Sequence, residues 1–202
     1  IIFRYFLDEE QEHVFSIMKA NEQTAAFLVE LDDTILQNLL EEENPERISA
    51  LIRQAPVNDQ SYILGNLDEE KAQSVIDLLK LEEKEEIEEL MGYPEDSAGA
   101  MMTTDIFTLW QDTTCGDALK TLQDQEDAEM VFYLYLTDED GRLTGVASLR
   151  ALATSQVDTK MCDIMIKRVH SVRPETDQED VAKIVAQYNY LAVPVLDESE
   201  HL

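Results

Sequence analysis

The chain of 202 residues carries 44 acidic side chains against 15 basic ones, a formal net charge of −29. That balance makes nucleic acid and anionic lipid poor partners, because binding either rests on lysine and arginine neutralising phosphates. An apolar fraction of 44% suffices for ordinary cores, and no apolar run approaches the ~20 residues a membrane helix needs, so the polypeptide as given reads as soluble.

The first part of the chain predicts helix after helix. Val14, Phe15, Ile17 and Met18 mark an early one. Apolar pairs then recur every 12 positions: Phe27-Leu28, Leu39-Leu40, Leu51-Ile52, Ile63-Leu64 and Val75-Ile76. In one continuous helix that step would rotate the stripe by about 120°, so no single face would form. Breakers separate the pairs instead, at Asn44-Pro45, Pro56 and Gly65-Asn66. The pattern predicts short helices stacked as a small solenoid. Leu67-Asp68-Glu69-Glu70 reads as a helix start, with Asp68 capping and acids in the positive first turn. Residues 82–89 extend a last, very acidic helix with Ile87, Leu90 and Met91 on its apolar side.

Gly92-Tyr93-Pro94 marks a boundary, since glycine ends helices and proline restricts its predecessor. This gives a helical domain over 1–92. Beyond it, Trp110 falls on a first strand, and a helix spans 115–125 with Ala118, Leu119 and Leu122 inward. Phe132 to Leu136 reads as a strand, Asp138 to Gly141 as a turn, Leu143 to Ala147 as a second strand, and 148–154 as a short helix. Tyr133 and Tyr135 read as packing residues rather than a base-stacking platform.

That order is written twice. Met102, Ile106, Thr108, Leu109, Thr113, Asp117 and Leu122 have counterparts Met165, Val169, Ser171, Val172, Thr176, Asp180 and Val185, all 63 positions later. The turn Asp138–Leu143 returns as Asp197–Leu202 with an offset of 59. A spacing that holds and then slips by four indicates a duplicated unit with one connection altered in length. The first unit spans 93–156 with a junction helix. The second, 157–202, lacks the equivalents of one strand and one helix, so the working protein is expected to continue past Leu202. With Ile1 in place of an initiator Met, the sequence reads as an excerpt.

Little here suggests covalent chemistry. Cys115 and Cys162 match neither zinc spacing nor a CxxC pair and read as small reduced core thiols, which fits a cytoplasmic setting. His13, His170 and His201 form no HExxH set. Six glycines supply neither a phosphate-cradling loop nor a nucleophile elbow, so no enzymatic activity is expected.

The duplicated unit resembles the cystathionine-β-synthase (CBS) domain pair, on Asp163-Ile164-Met165, Val169-His170-Ser171-Val172, Val193-Pro194-Val195-Leu196-Asp197 and Gly145-Val146-Ala147-Ser148. Tyr93-Pro94-Glu95-Asp96-Ser97-Ala98-Gly99 followed by Met101-Met102-Thr103 is similar to the junction between the helical N domain and the CBS pair of MgtE-type magnesium transporters. The resemblance covers roughly residues 25–202. The fold class expected is therefore an α-helical superhelical N domain followed by an α/β CBS pair.

The resemblance implies the Mg²⁺-sensing cytoplasmic portion of a homodimeric magnesium channel, dimerised through its CBS units on the inner face of the membrane. Its transmembrane pore would lie downstream in the same parent chain. Mg²⁺ would lodge between acidic faces, compact the assembly and close the pore. Hard oxygen donors suit that ion, which keeps much of its water shell. By position, the carboxylates available are Asp59, Asp68, Glu69 and Glu70 at helix starts and Glu95 and Asp96 at the junction, each of which could equally cap a helix or face solvent.

Two rivals stand beside this reading: a stand-alone CBS adenine-nucleotide sensor that regulates a partner, and an acidic scaffold that buffers cations. Adenosine-binding CBS units carry serine or threonine followed three residues later by aspartate. Here Ser148 is followed by Ala151, so Ser148 is a nucleotide candidate without its carboxylate and a candidate helix cap.

Overall fold

The computed structural model describes residues 2–53, 55–124 and 133–202. The chain divides into two compact units, one of Ile1–Glu95 with Ala100–Thr104, the other of Asp96–Gly99 with Asp105–Leu202.

The first unit is helical throughout. A 3-10 turn (Ile2–Tyr5) leads into α1 (Asp8–Ile17), α2 (Glu22–Val29), α3 (Asp33–Glu41), α4 (Pro45–Ile52), α5 (Val57–Gly65), α6 (Glu69–Ile76) and α7 (Leu81–Met91). Every one of the recurring apolar pairs sits near the C-terminal end of its helix. All are buried except Phe27, which packs against the same core from a partly buried position. The breakers act at the expected places. Asn44 caps α4 by accepting from the Arg47 N–H at 2.8 Å, with Pro45 in the first turn, and Pro56 precedes α5. Asp68 caps α6, accepting from the Lys71 N–H at 2.9 Å.

One inward assignment fails: Met91, the last residue of α7, is exposed while Ile87 and Leu90 are buried. Ile17, which ends α1, is 68% exposed.

The second unit begins with α8 (Ala98–Met101), which crosses into the first unit at its end. Then come β1 (Thr108–Trp110), α9 (Cys115–Asp124), β2 (Tyr133–Thr137), β3 (Leu143–Ser148), α10 (Leu149–Thr154), α11 (Met161–Ile164) and α12 (Gln178–Tyr188). The sheet order is β1-β2-β3, parallel between β1 and β2 and antiparallel between β2 and β3. Leu134 and Leu136 point into the core while Tyr133 and Tyr135 share the other, half-covered face. Phe132 and Gln125 lie outside the described residues. Ala118 is buried and Leu122 packs on the core, but Leu119 is exposed, and Trp110, on β1 as expected, is 53% exposed.

The duplication is a physical symmetry. Leu109 pairs with Leu136 in the first copy, and Val172 pairs with Val195 in the second, at offsets of 63 and 59. The lead-in segments are exchanged between the copies. The Met161 and Cys162 N–H groups donate to Thr113 and Gln111 carbonyls at 2.9 and 2.8 Å. Reciprocally, the Ala98 and Gly99 N–H groups donate to Thr176 and Pro174 at 2.7 and 2.8 Å. Each copy therefore satisfies backbone groups of the other, which ties the pair together as one body.

Two glycines should respond in opposite directions. A Cβ on Gly145 would lie 2.6 Å from Met165 Sδ and 3.0 Å from the Ile166 carbonyl. Gly145→Ala is expected to cost about 1–3 kcal/mol in denaturant unfolding. Gly65 ends α5 with nothing within 4 Å of an added methyl, so Gly65→Ala is expected to stabilise by about 0.4–1 kcal/mol.

Candidate functional site

The carboxylates singled out in the sequence fall into three groups. Asp59, in the first turn of α5, is half-buried, and its one hydrogen-bond partner among the described residues is Asn58 Nδ2 at 3.1 Å. Burial pushes its carboxyl above the usual aspartate range, because the anion loses water without gaining a cation.

Asp68, Glu69 and Glu70 start α6. The Asp68 carboxylate is engaged as the cap, with the Lys71 N–H on its Oδ1. Glu69 and Glu70 line an open groove along the helix with Gln73, Ser74 and Asp77. Asp77 is the functional candidate that sequence reasoning passed over. It follows Glu69 and Glu70 by two helical turns, a spacing that puts all three on one side. Its carboxyl is held below the usual range by a hydrogen bond from Lys84, 2.8 Å away, and by Gln73.

The junction pair separates. Glu95 is exposed. Asp96 belongs to the exchanged lead-in: its carbonyl accepts from the Gln178 N–H at 2.8 Å and its Oδ1 from the Gln178 side chain. Its geometry is that of a structural clip. Ser148 caps α10, its Oγ accepting from the Ala151 N–H at 3.1 Å.

The predicted residues thus do not converge on one chelating centre. Among the described residues no group of three or more His, Cys, Asp or Glu side chains could hold a metal ion. Chemically, the arrangement offers separated hard oxygen donors, suited to a hydrated divalent cation rather than to a zinc-type cage. Among the described residues no helix is long and apolar enough to cross a membrane.

A helical array followed by a reciprocally bonded, duplicated α/β unit is the architecture that the family comparisons recognise. The family model for the MgtE intracellular N domain matches residues 2–96, and that for the CBS domain matches 98–158 and 161–202. The chain belongs to the MgtE family and corresponds to its cytosolic region.

Among curated relatives, it is 43% identical over 122 residues to the magnesium transporter MgtE of Enterococcus faecalis, covering 60% of this chain and 27% of the relative. It is 40% identical over 131 residues to MgtE of Thermus thermophilus, covering 64% and 29%. The matched part is thus less than a third of those relatives' length. A crystal structure of the cytosolic domain of the Mg²⁺ channel MgtE in complex with ATP superposes with a TM-score of 0.89 at 31% identity, covering 100% of this chain and 82% of the other.

The Asp59 environment sets a sign for pH dependence. A carboxyl whose folded pKa is raised costs stability once ionised, and that cost vanishes below its unfolded pKa. Asp59→Asn is therefore expected to melt above the wild type at pH 7 without divalent cations. The advantage should shrink to nothing as the pH falls below roughly 4, read by thermal melting across pH.

Proposed function

We propose that this chain is the Mg²⁺-sensing regulatory part of a magnesium transporter, non-enzymatic and cytoplasmic. It would act as a homodimer through its CBS units upon a transmembrane pore elsewhere in the same protein. Mg²⁺ is the effector: hydrated ions settle against the acidic surface, relieve its self-repulsion and favour the compact state in which the pore closes. Asp59, Glu69 and Glu70 are the preferred ligands. Asp68 and Asp96 hold positions through their own hydrogen bonds, and Glu95 contributes charge from the junction.

The observation that carries the reading is Asp59, a half-buried carboxylate with a raised pKa and no cationic partner among the described residues, in a chain of net charge −29. Membership of the MgtE family supports it from a separate direction.

Small-angle scattering and melting with and without Mg²⁺, at fixed ionic strength, test it. Several millimolar Mg²⁺ is expected to shrink the radius of gyration and raise the melting temperature beyond the effect of NaCl. A ligand bound only by the folded state adds RT ln(1 + [L]/Kd). Asp59→Asn should lose much of that increment. Identical responses to Mg²⁺ and NaCl would leave only non-specific screening.

Adenine-nucleotide binding is a second reading, favoured by the ATP complex of the similar cytosolic domain. The residues here fit it poorly. Ser148 Oγ is engaged in capping, and residue 151 is alanine, which offers no carboxylate to a ribose diol. ATP is expected to leave the wild-type melting temperature unchanged, and Ala151→Asp to introduce an ATP-dependent rise. A wild-type rise as large as the variant's would restore the nucleotide reading.

A further inference from the structure

The duplicated turns face one another. In the first copy Asp138 Oδ1 accepts from the N–H groups of Asp140 and Arg142 at 3.0 and 2.9 Å. In the second, 59 residues on, Asp197 Oδ1 accepts from Ser199 and His201, both at 2.8 Å. Across the gap, Arg142 Nε donates to the Ser199 carbonyl at 3.2 Å. The reciprocal contact is His201 Nε2 against the Asp140 carbonyl at 3.0 Å. The Leu143 N–H closes the clasp on the Glu200 carbonyl at 3.0 Å.

Equivalent positions thus hold an arginine in one turn and a histidine in the other. The guanidinium donates at any physiological pH. The imidazole meets an acceptor at each nitrogen, the Asp140 carbonyl at Nε2 and Asp197 Oδ2 at Nδ1, 3.2 Å away. A neutral ring carries one N–H and can donate to only one of them, whereas the imidazolium donates to both.

The charged groups around the ring are accounted for. Asp140 is paired with Arg142 at 2.8 Å, and Glu200 with Arg173 at 2.6 Å. Asp197 faces the ring and is held below the usual carboxylate range, first by the His201 backbone N–H, so it stays an anion. Gly141 lies beside the ring at φ 84°, a left-handed conformation that favours glycine, and a Cβ there would make ordinary contact with His201 Cδ2 at 3.6 Å.

We infer that His201 makes the clasp between the two CBS turns proton-sensitive: closed on both sides while the ring is an imidazolium, and loosened on one side when it is neutral. This device needs no Mg²⁺ and goes beyond the reading above.

Amide exchange at Leu143, corrected for the intrinsic base-catalysed rate, tests it between pH 5 and 8, where imidazoles titrate. The wild type is expected to lose about fivefold in protection as pH rises, the worth of one hydrogen bond. His201→Arg, which copies the other turn, should remain protected throughout. His201→Gln, neutral at every pH, should stay flat at the lower level. His13 and His170 are common to all three proteins and cancel in the comparison. A parallel fall in wild type and His201→Arg overturns the inference, as does a His201→Gln profile that follows the wild type.

Discussion

Like-charge repulsion is the constraint around which this molecule is built. With 44 acids and 15 bases, apolar burial must hold a surface that pushes itself apart. Three of the scarce cations sit at helix C-terminal carbonyls. Lys71 Nζ donates to the Leu40 and Glu41 carbonyls at 2.8 and 2.6 Å, at the end of α3. Arg47 reaches the Phe15 carbonyl near the end of α1 at 3.0 Å, and Arg53 reaches Leu78 just past α6 at 3.3 Å. Helix C-termini expose unsatisfied carbonyls and a partial negative charge, so a cation there serves as cap and counter-charge together. Acids at helix starts complete the pattern, as Asp68 does on α6.

The second unit meets the same constraint through backbone bonding. Its two copies exchange their lead-in segments, whose backbone bonds run from amide to carbonyl and carry no net charge, and the Lys160–Asp112 pair at 2.7 Å adds one ionic link between the copies. The slip from 63 to 59 falls between α12 and the Val172–Val195 bridge. There the chain leaves the helix through Asn189 at φ 52°, an αL exit that asparagine tolerates and that turns the backbone within one residue. Downstream the same turn is rebuilt, with Glu200 at φ 68° where the first copy has Gly141 at 84°. The strain of a non-glycine residue there accompanies the Glu200–Arg173 pair at 2.6 Å.

What could be read beforehand follows from which signals are local. The 12-residue apolar step and its breakers report where each helix ends, because burial and capping are properties of a few adjacent residues. The helical pattern puts Leu119 and Met91 on apolar faces, and the structure exposes both. Helical periodicity gives a face, but not how much of that face a neighbour covers. The carboxylates behaved similarly. Capping by Asp68 was legible from the sequence just before α6, whereas Asp96's bond to Gln178 spans 82 residues and only the duplication brings the two together. Asp59's burial depends on the elements packed around α5, which no local pattern reveals.

Dispersed carboxylates suit a graded sensor better than a tight chelate would. Asp68 and Asp96 are held by hydrogen bonds that fix the fold, so they are not available to collapse around one ion. Magnesium dehydrates reluctantly and accepts one or two carboxylates while retaining waters, so separated donors are compatible with it. On the proposed reading each site contributes weakly, and several must act together. Moving a two-state equilibrium from 1:99 to 99:1 takes about 5.5 kcal/mol, which four sites supply at roughly 1.4 kcal/mol each. A single tight site would hold its ion at every physiological concentration and report nothing. On the proposed reading, the sum of weak ones would change occupancy across the range that matters and would draw its energy from the repulsion that the fold already sustains.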